Sequence, residues 1–181
     1  MFWSARQIPN VITVIRILLV VPIAICLARR QLAATMALFA LAALSDAADG
    51  FLARRFGWQS ELGGVLDPIA DKLLLATVFV SLSFLKLVPL WLMVAAVARD
   101  AIIVLGAAAY RFFIGPLTAN PSMVGKFNTI CQAAFVVAVV GRAQFWVPPA
   151  WVTVWLGALV FATVVVSGID YVLVYGRRAA A

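Results

Sequence analysis

Apolar residues gather into six runs of close to membrane-spanning length, and a chain built that way has few ways to fold. The runs cover about residues 11–28, 32–51, 63–85, 87–109, 126–147 and 150–175. A helix needs about 20 apolar residues to cross the hydrocarbon core of a bilayer. With 66% hydrophobic residues and a mean hydropathy of +1.10, the 181-residue chain is too apolar for a water-soluble domain. The predicted fold is an all-α integral membrane protein of six transmembrane helices. A short amphipathic segment, residues 1–10, precedes them, and its Phe2, Trp3 and Arg6 suit a membrane surface.

The first run contains Arg16 and Pro22 and is span-length, which argues against a cleaved signal peptide. A polar connection through Asn120 and Pro121 separates the fourth and fifth runs, and Pro148 and Pro149 break the chain before the sixth. No repeat, long linker or low-complexity segment interrupts this order, so residues 1–181 read as one domain. Trp91, Trp146 and Trp151 fall near run ends, where an aromatic belt is expected.

Six spans place both termini and the 55–62 connection on one side. That side carries Arg6, Arg54, Arg55, Arg111, Lys126, Arg177 and Arg178, against Arg29, Arg30, Lys86 and Arg142 opposite, which predicts that it is cytoplasmic. The net charge of +7 is dispersed over helix ends and forms no basic stripe, so anionic lipid headgroups are the expected partners and nucleic acid is not. The chain has no histidine, which removes imidazole acid–base chemistry and the usual His-containing zinc sites. Cys26 and Cys131 lie inside apolar runs without CxxC spacing and read as packing residues.

Against this background residues 45–72 stand out, because they gather four aspartates between apolar runs: Asp46, Asp49, Asp67 and Asp71. Residues three or four apart share a helix face, so Asp46 points with Asp49 and Asp67 with Asp71. If residues 55–62 form a loop, two antiparallel helices set the pairs opposite each other. Asp49 and Asp67 then lie within about 10 Å of the loop, with Asp46 and Asp71 one turn deeper. Carboxylates so gathered in a membrane must protonate, pair with bases or bind cations. An all-oxygen cluster of this size suits two hard divalent ions, Mg2+ or Mn2+. The bland reading is a set of buried ion pairs to Arg54, Arg55 and Lys72. A rival of another class is a cation transporter, which leaves the small residues and arginine beside the aspartates unexplained.

The full spacing, Asp46-x2-Asp49-Gly50-x2-Ala53-Arg54-x8-Gly63-x3-Asp67-x3-Asp71, resembles the motif of the CDP-alcohol phosphotransferase (CDP-alcohol phosphatidyltransferase) family. The similarity extends to Ile8-Pro9-Asn10-x2-Thr13-x2-Arg16, to Asp67-Pro-Ile-Ala-Asp71-Lys72, to Arg99-Asp100 and to Gly125-Lys126-Phe127-Asn128-Thr129. It implies metal-dependent transfer of a phosphatidyl group from CDP-diacylglycerol to a hydroxyl acceptor, with release of CMP. Carried over, Asp46, Asp49, Asp67 and Asp71 hold two divalent metals, and Asp71 also activates the acceptor hydroxyl. Asp49, Gly50, Ala53, Arg54 and Gly63 take the nucleotide.

Asn10, Thr13, Arg16, Arg99 and Lys126 are candidates for the acceptor or lipid phosphate, with Arg99 equally open to pairing with an aspartate. Within the family the similarity points to enzymes of anionic glycerophospholipids, the eukaryotic-type cardiolipin synthases and the phosphatidylglycerophosphate synthases. Residues 107–110 lack an arginine and glutamate common in the latter, which favours phosphatidylglycerol over glycerol 3-phosphate as acceptor. The resemblance also implies a homodimer in a bacterial or mitochondrial inner membrane.

Overall fold

A computed structural model describes the backbone of residues 8–56, 61–113 and 123–179, and side chains over 11–46, 48, 55–56, 68–106 and 123–173. The described chain is helical apart from two short connections and a turn: α1 (Ile8–Ala28), α2 (Leu32–Phe56), α3 (Glu61–Phe84), α4 (Leu90–Phe113), α5 (Met123–Phe145) and α6 (Ala150–Ala179). They form two compact units, Met1–Leu85 and Lys86–Ala181.

In the first unit α1 packs against both α2 and α3. Its inward face is Thr13, Arg16, Val20, Ile23 and Leu27, spaced by three and four residues, while Val14, Leu18, Val21 and Ile25 face outward. The inward face meets a core that includes Phe39 and Ala42 of α2 and Leu74, Val78, Phe79 and Leu82 of α3. In the second unit α6 packs against α4 and α5. Gly157 of α6 lets the ring of Phe135 and the side chain of Leu92 approach closely, since a Cβ there would lie 3.3 Å from the ring.

Among the described residues, α1 (Val11–Ala28), α5 (Met123–Phe145) and α6 (Ala150–Leu173) are long and apolar enough to cross a bilayer. The apolar part of α2, Leu32–Asp46, is shorter. Charged residues interrupt the remaining helices: Asp67, Asp71 and Lys72 in α3, Arg99 and Asp100 in α4. These are residues around which a site can form.

Helix ends differ from the apolar runs for identifiable reasons. α2 continues past Phe51 to Phe56, because Leu52, Ala53, Arg54 and Arg55 are good helix formers although the apolar run has ended. The expected loop at 55–62 therefore shrinks, and α3 starts at Glu61. α4 starts at Leu90 rather than near residue 87: Pro89 disfavours helix at Val88, and the Pro89 carbonyl accepts the first hydrogen bonds, from Leu92 and Met93.

The end of α1 is a Schellman cap, in which the amide of Gln31 donates to the carbonyl of Cys26 and that of Arg30 to Leu27. Arg30 takes the left-handed position there, at φ 55°. A side chain in that region is disfavoured, so Arg30→Gly is expected to stabilise the protein by about 0.5–1 kcal/mol. A raised midpoint of thermal unfolding in detergent would show this, and a lowered one would mean that the Arg30 side chain contributes more than its backbone costs.

Candidate functional site

Asp46 lies ten residues before the end of α2 and Asp71 ten residues after the start of α3. At a rise of about 1.5 Å per residue, both stand about 15 Å along their helices from the intervening connection. The matched depth brings them opposite one another, and the meeting point is Arg16 of α1. Nη1 of Arg16 is 2.7 Å from Oδ1 of Asp46 and 2.8 Å from Oδ1 of Asp71. Both carboxylates touch the same nitrogen, so their Oδ1 atoms are separated by no more than twice that distance.

The three groups are unequally buried. The Arg16 side chain is 0% exposed, whereas those of Asp46 and Asp71 are 44% and 35% exposed. The guanidinium thus closes the inner side of the cluster, and the carboxylates keep an open side. Among these three groups one positive charge faces two negative ones, which leaves the cluster anionic. An anionic, all-oxygen donor set with an open side fits a hard divalent cation.

In the sequence Arg16 is a candidate for the acceptor or lipid phosphate, and Arg54, Arg55 and Lys72 are possible partners of the aspartates. The structure pairs both Asp46 and Asp71 with Arg16. Thr13, one turn before Arg16 on the same face, is also fully buried. Lys126 is exposed near the start of α5. Asn10, Asp49, Gly50, Ala53, Arg54, Gly63 and Asp67 fall on α1, α2 and α3, but their side chains lie outside the described residues.

The second unit holds a buried polar seam, in which Arg99, Asp100 and Asn128 belong to stretches singled out in the sequence and Gln132, Thr163 and Ser167 do not. Nη1 of Arg99 donates to Oδ1 of Asp100 at 2.6 Å, and Nη2 donates to the hydroxyl of Ser167 on α6. Both charged side chains are nearly sealed, at 6% and 9% exposure. The pairing with an aspartate, one of the two readings of Arg99, is thus present in the structure. One turn away on α6, Thr163 donates to Oδ1 of Asn128 on α5 at 2.9 Å. Asn128 and Gln132, a turn apart, are both buried, with the amide nitrogens of their side chains unpartnered. The available signal was the isolation of each polar residue in an apolar helix, which marks an inward-facing position without naming its partner.

These features define a class first: a helical membrane protein whose described residues form six helices and in which Asp46 of α2 and Asp71 of α3 converge on one arginine of α1. The chain matches the CDP-alcohol phosphatidyltransferase family over residues 6–169, and it belongs to that family. It is 30% identical over 154 residues to the human "Cardiolipin synthase (CMP-forming)", a match covering 76% of this chain and 51% of that one. It is 36% identical over 141 residues to a Mycobacterium tuberculosis protein named "Probable phosphatidylglycerophosphate synthase", covering 75% and 63%. A third relative, the Pseudomonas fluorescens "CDP-diacylglycerol--glycerol-3-phosphate 3-phosphatidyltransferase", is 45% identical over 80 residues, covering 42% and 40%. The chain spans about half the length of the first curated relatives it matches.

Proposed function

We propose that the protein is a phospholipid-synthesising transferase that moves a phosphatidyl group from CDP-diacylglycerol to the glycerol hydroxyl of phosphatidylglycerol, giving cardiolipin and CMP. The observation that carries this reading is the convergence of Asp46 and Asp71, the first and last aspartates of the family motif, with their open sides available. Family membership and the name of the human relative support it.

In the proposed reaction Asp71 accepts the proton of the acceptor hydroxyl as its oxygen attacks the phosphorus that carries diacylglycerol. The bond between that phosphorus and the bridging oxygen breaks, and CMP leaves with that oxygen. Asp46, Asp49, Asp67 and Asp71 would hold two divalent cations, Mg2+ or Mn2+, which supply electrostatic stabilisation of the diphosphate and of the departing CMP. Gly50, Ala53 and Gly63 leave room for the nucleotide, and Arg54 neutralises its phosphates. Asn10 and Thr13 orient the acceptor phosphate. The site faces the cytoplasm, and the protein acts as a homodimer in a bacterial or mitochondrial inner membrane.

Glycerol 3-phosphate is the second acceptor to consider, because two of the relatives carry names for synthesis of phosphatidylglycerophosphate. The test is CMP release by purified protein with CDP-diacylglycerol and Mg2+ or Mn2+, offering each acceptor separately and identifying the lipid formed. Cardiolipin is the expected product. Phosphatidylglycerophosphate would keep the chemistry and replace the acceptor, and no CMP with a wide panel of alcohols would overturn the transferase reading.

A further inference from the structure

Arg16 occupies an unusual place for a charge at membrane depth. It projects from the inward face of α1 into a position that is 0% exposed, and one carboxylate from α2 and one from α3 lie at hydrogen-bonding distance from its Nη1. A buried arginine persists in such a setting only when its charge is matched. The matching groups are the two outermost aspartates of the motif, so the same oxygens serve the guanidinium and the proposed metal site. Because the Asp46 and Asp71 side chains stay 44% and 35% exposed, a cation entering from the open side meets carboxylates already gathered and already partly neutralised from behind.

Two opposing consequences follow from that geometry. Without another cation, the two like charges on α2 and α3 repel, and the guanidinium between them turns the repulsion into attraction. Once a divalent cation arrives, the guanidinium is a competing positive charge close to its ligands, and it lowers the affinity of the site.

We propose that Arg16 is the internal counter-cation of the aspartate cluster, a positioning residue that holds Asp46 and Asp71 together before a divalent cation binds and competes with that cation for their charge. The inference rests on the reading that the aspartates bind divalent metal, and it adds a role for a residue outside the aspartate motif. It makes metal affinity and metal-free stability change in opposite directions when Arg16 is neutralised. A residue that merely helped shape the metal site would lower both.

The experiment is Mn2+ binding, followed by the electron paramagnetic resonance signal of free Mn2+, on the full chain in detergent, with thermal unfolding measured in EDTA and in saturating Mn2+. Arg16→Gln is expected to bind Mn2+ about tenfold more tightly than the parent protein, because a unit positive charge beside the ligands is gone. It should melt lower than the parent in EDTA and regain most of the loss in Mn2+. Unchanged or weaker Mn2+ binding by Arg16→Gln would overturn the proposal.

Arg16→Lys keeps the charge but replaces the planar fork with a single ammonium. It provides the second reading should the glutamine variant not survive extraction. It is expected to melt below the parent in EDTA and level with it in Mn2+; an equal loss in both conditions, or none in EDTA, would overturn the proposal. If the parent binds Mn2+ and Asp46→Asn does not, yet Arg16→Gln shows no tightening, only the role of Arg16 falls. If the parent shows no saturable Mn2+ binding, the metal reading and this inference fall together.

Discussion

Asp71→Asn is expected to reduce CMP release from CDP-diacylglycerol by about a thousandfold or more while leaving the protein folded. The size follows from two losses at one atom. A general base contributes about 10²–10⁴ to a rate, and the neutral amide can neither take the acceptor proton nor hold a cation as a carboxylate does. The fold survives because asparagine keeps the shape of the side chain and Asp46 still matches Arg16 at 2.7 Å. Asp46→Asn, Asp49→Asn and Asp67→Asn should also abolish release, by removing a ligand. CMP release with the thermal midpoint measured in parallel checks this. Near-parent turnover in Asp71→Asn would remove it as the base, and a collapsed midpoint would mean that Arg16 cannot be held by Asp46 alone.

Arg99→Met is expected to destabilise the second unit by about 3–5 kcal/mol, because it takes one partner from a buried ion pair. Asp100, 9% exposed, then loses a guanidinium at 2.6 Å in a buried setting. The double variant Arg99→Met/Asp100→Leu removes both charges and should recover most of the loss, since replacing a buried pair by apolar side chains is often neutral. Equilibrium unfolding of the two variants in detergent measures the difference. A loss below about 1 kcal/mol in the single variant would mean that the pair is solvated. The double variant also separates the two readings of Arg99. If turnover returns with stability, Arg99 serves the fold, and if the protein is stable but no longer uses its acceptor, Arg99 serves the site.

Both predictions depend on charges whose partners were unequally legible. Asp100 adjoins Arg99 in the chain, and a pairing with an aspartate was one of the two readings available from the sequence. Ser167, which completes the arrangement, lies 68 residues away, and nothing local connects it to Arg99. Arg16 was visible as a costly intramembrane charge. Its partners Asp46 and Asp71 were visible as a carboxylate cluster in need of cations. That the one answers the other became apparent only when α1 was found packed between reach of both α2 and α3. Asn128 and Gln132 repeat the pattern: the sequence places them a turn apart on one face of α5, and the structure turns that face inward, toward Thr163 in the case of Asn128.

What the amino-acid sequence determined by itself is therefore whatever depends on local spacing. The lengths of the apolar runs predicted six helices, and the intervals between the aspartates, glycines and Arg54 carried the family resemblance. The matched distances of Asp46 and Asp71 from their shared connection implied a common depth. Helix ends were legible to within a few residues, failing where good helix formers such as Ala53 and Arg55 are polar or small and so look like loop, and where Pro89 delays α4. Only the tertiary structure decided which faces meet. An apolar helix can present any polar residue to a neighbour, and packing alone sets its rotation, so the pairing of Arg16 with Asp46 and Asp71 belongs to the fold of three helices and to no single stretch of the chain.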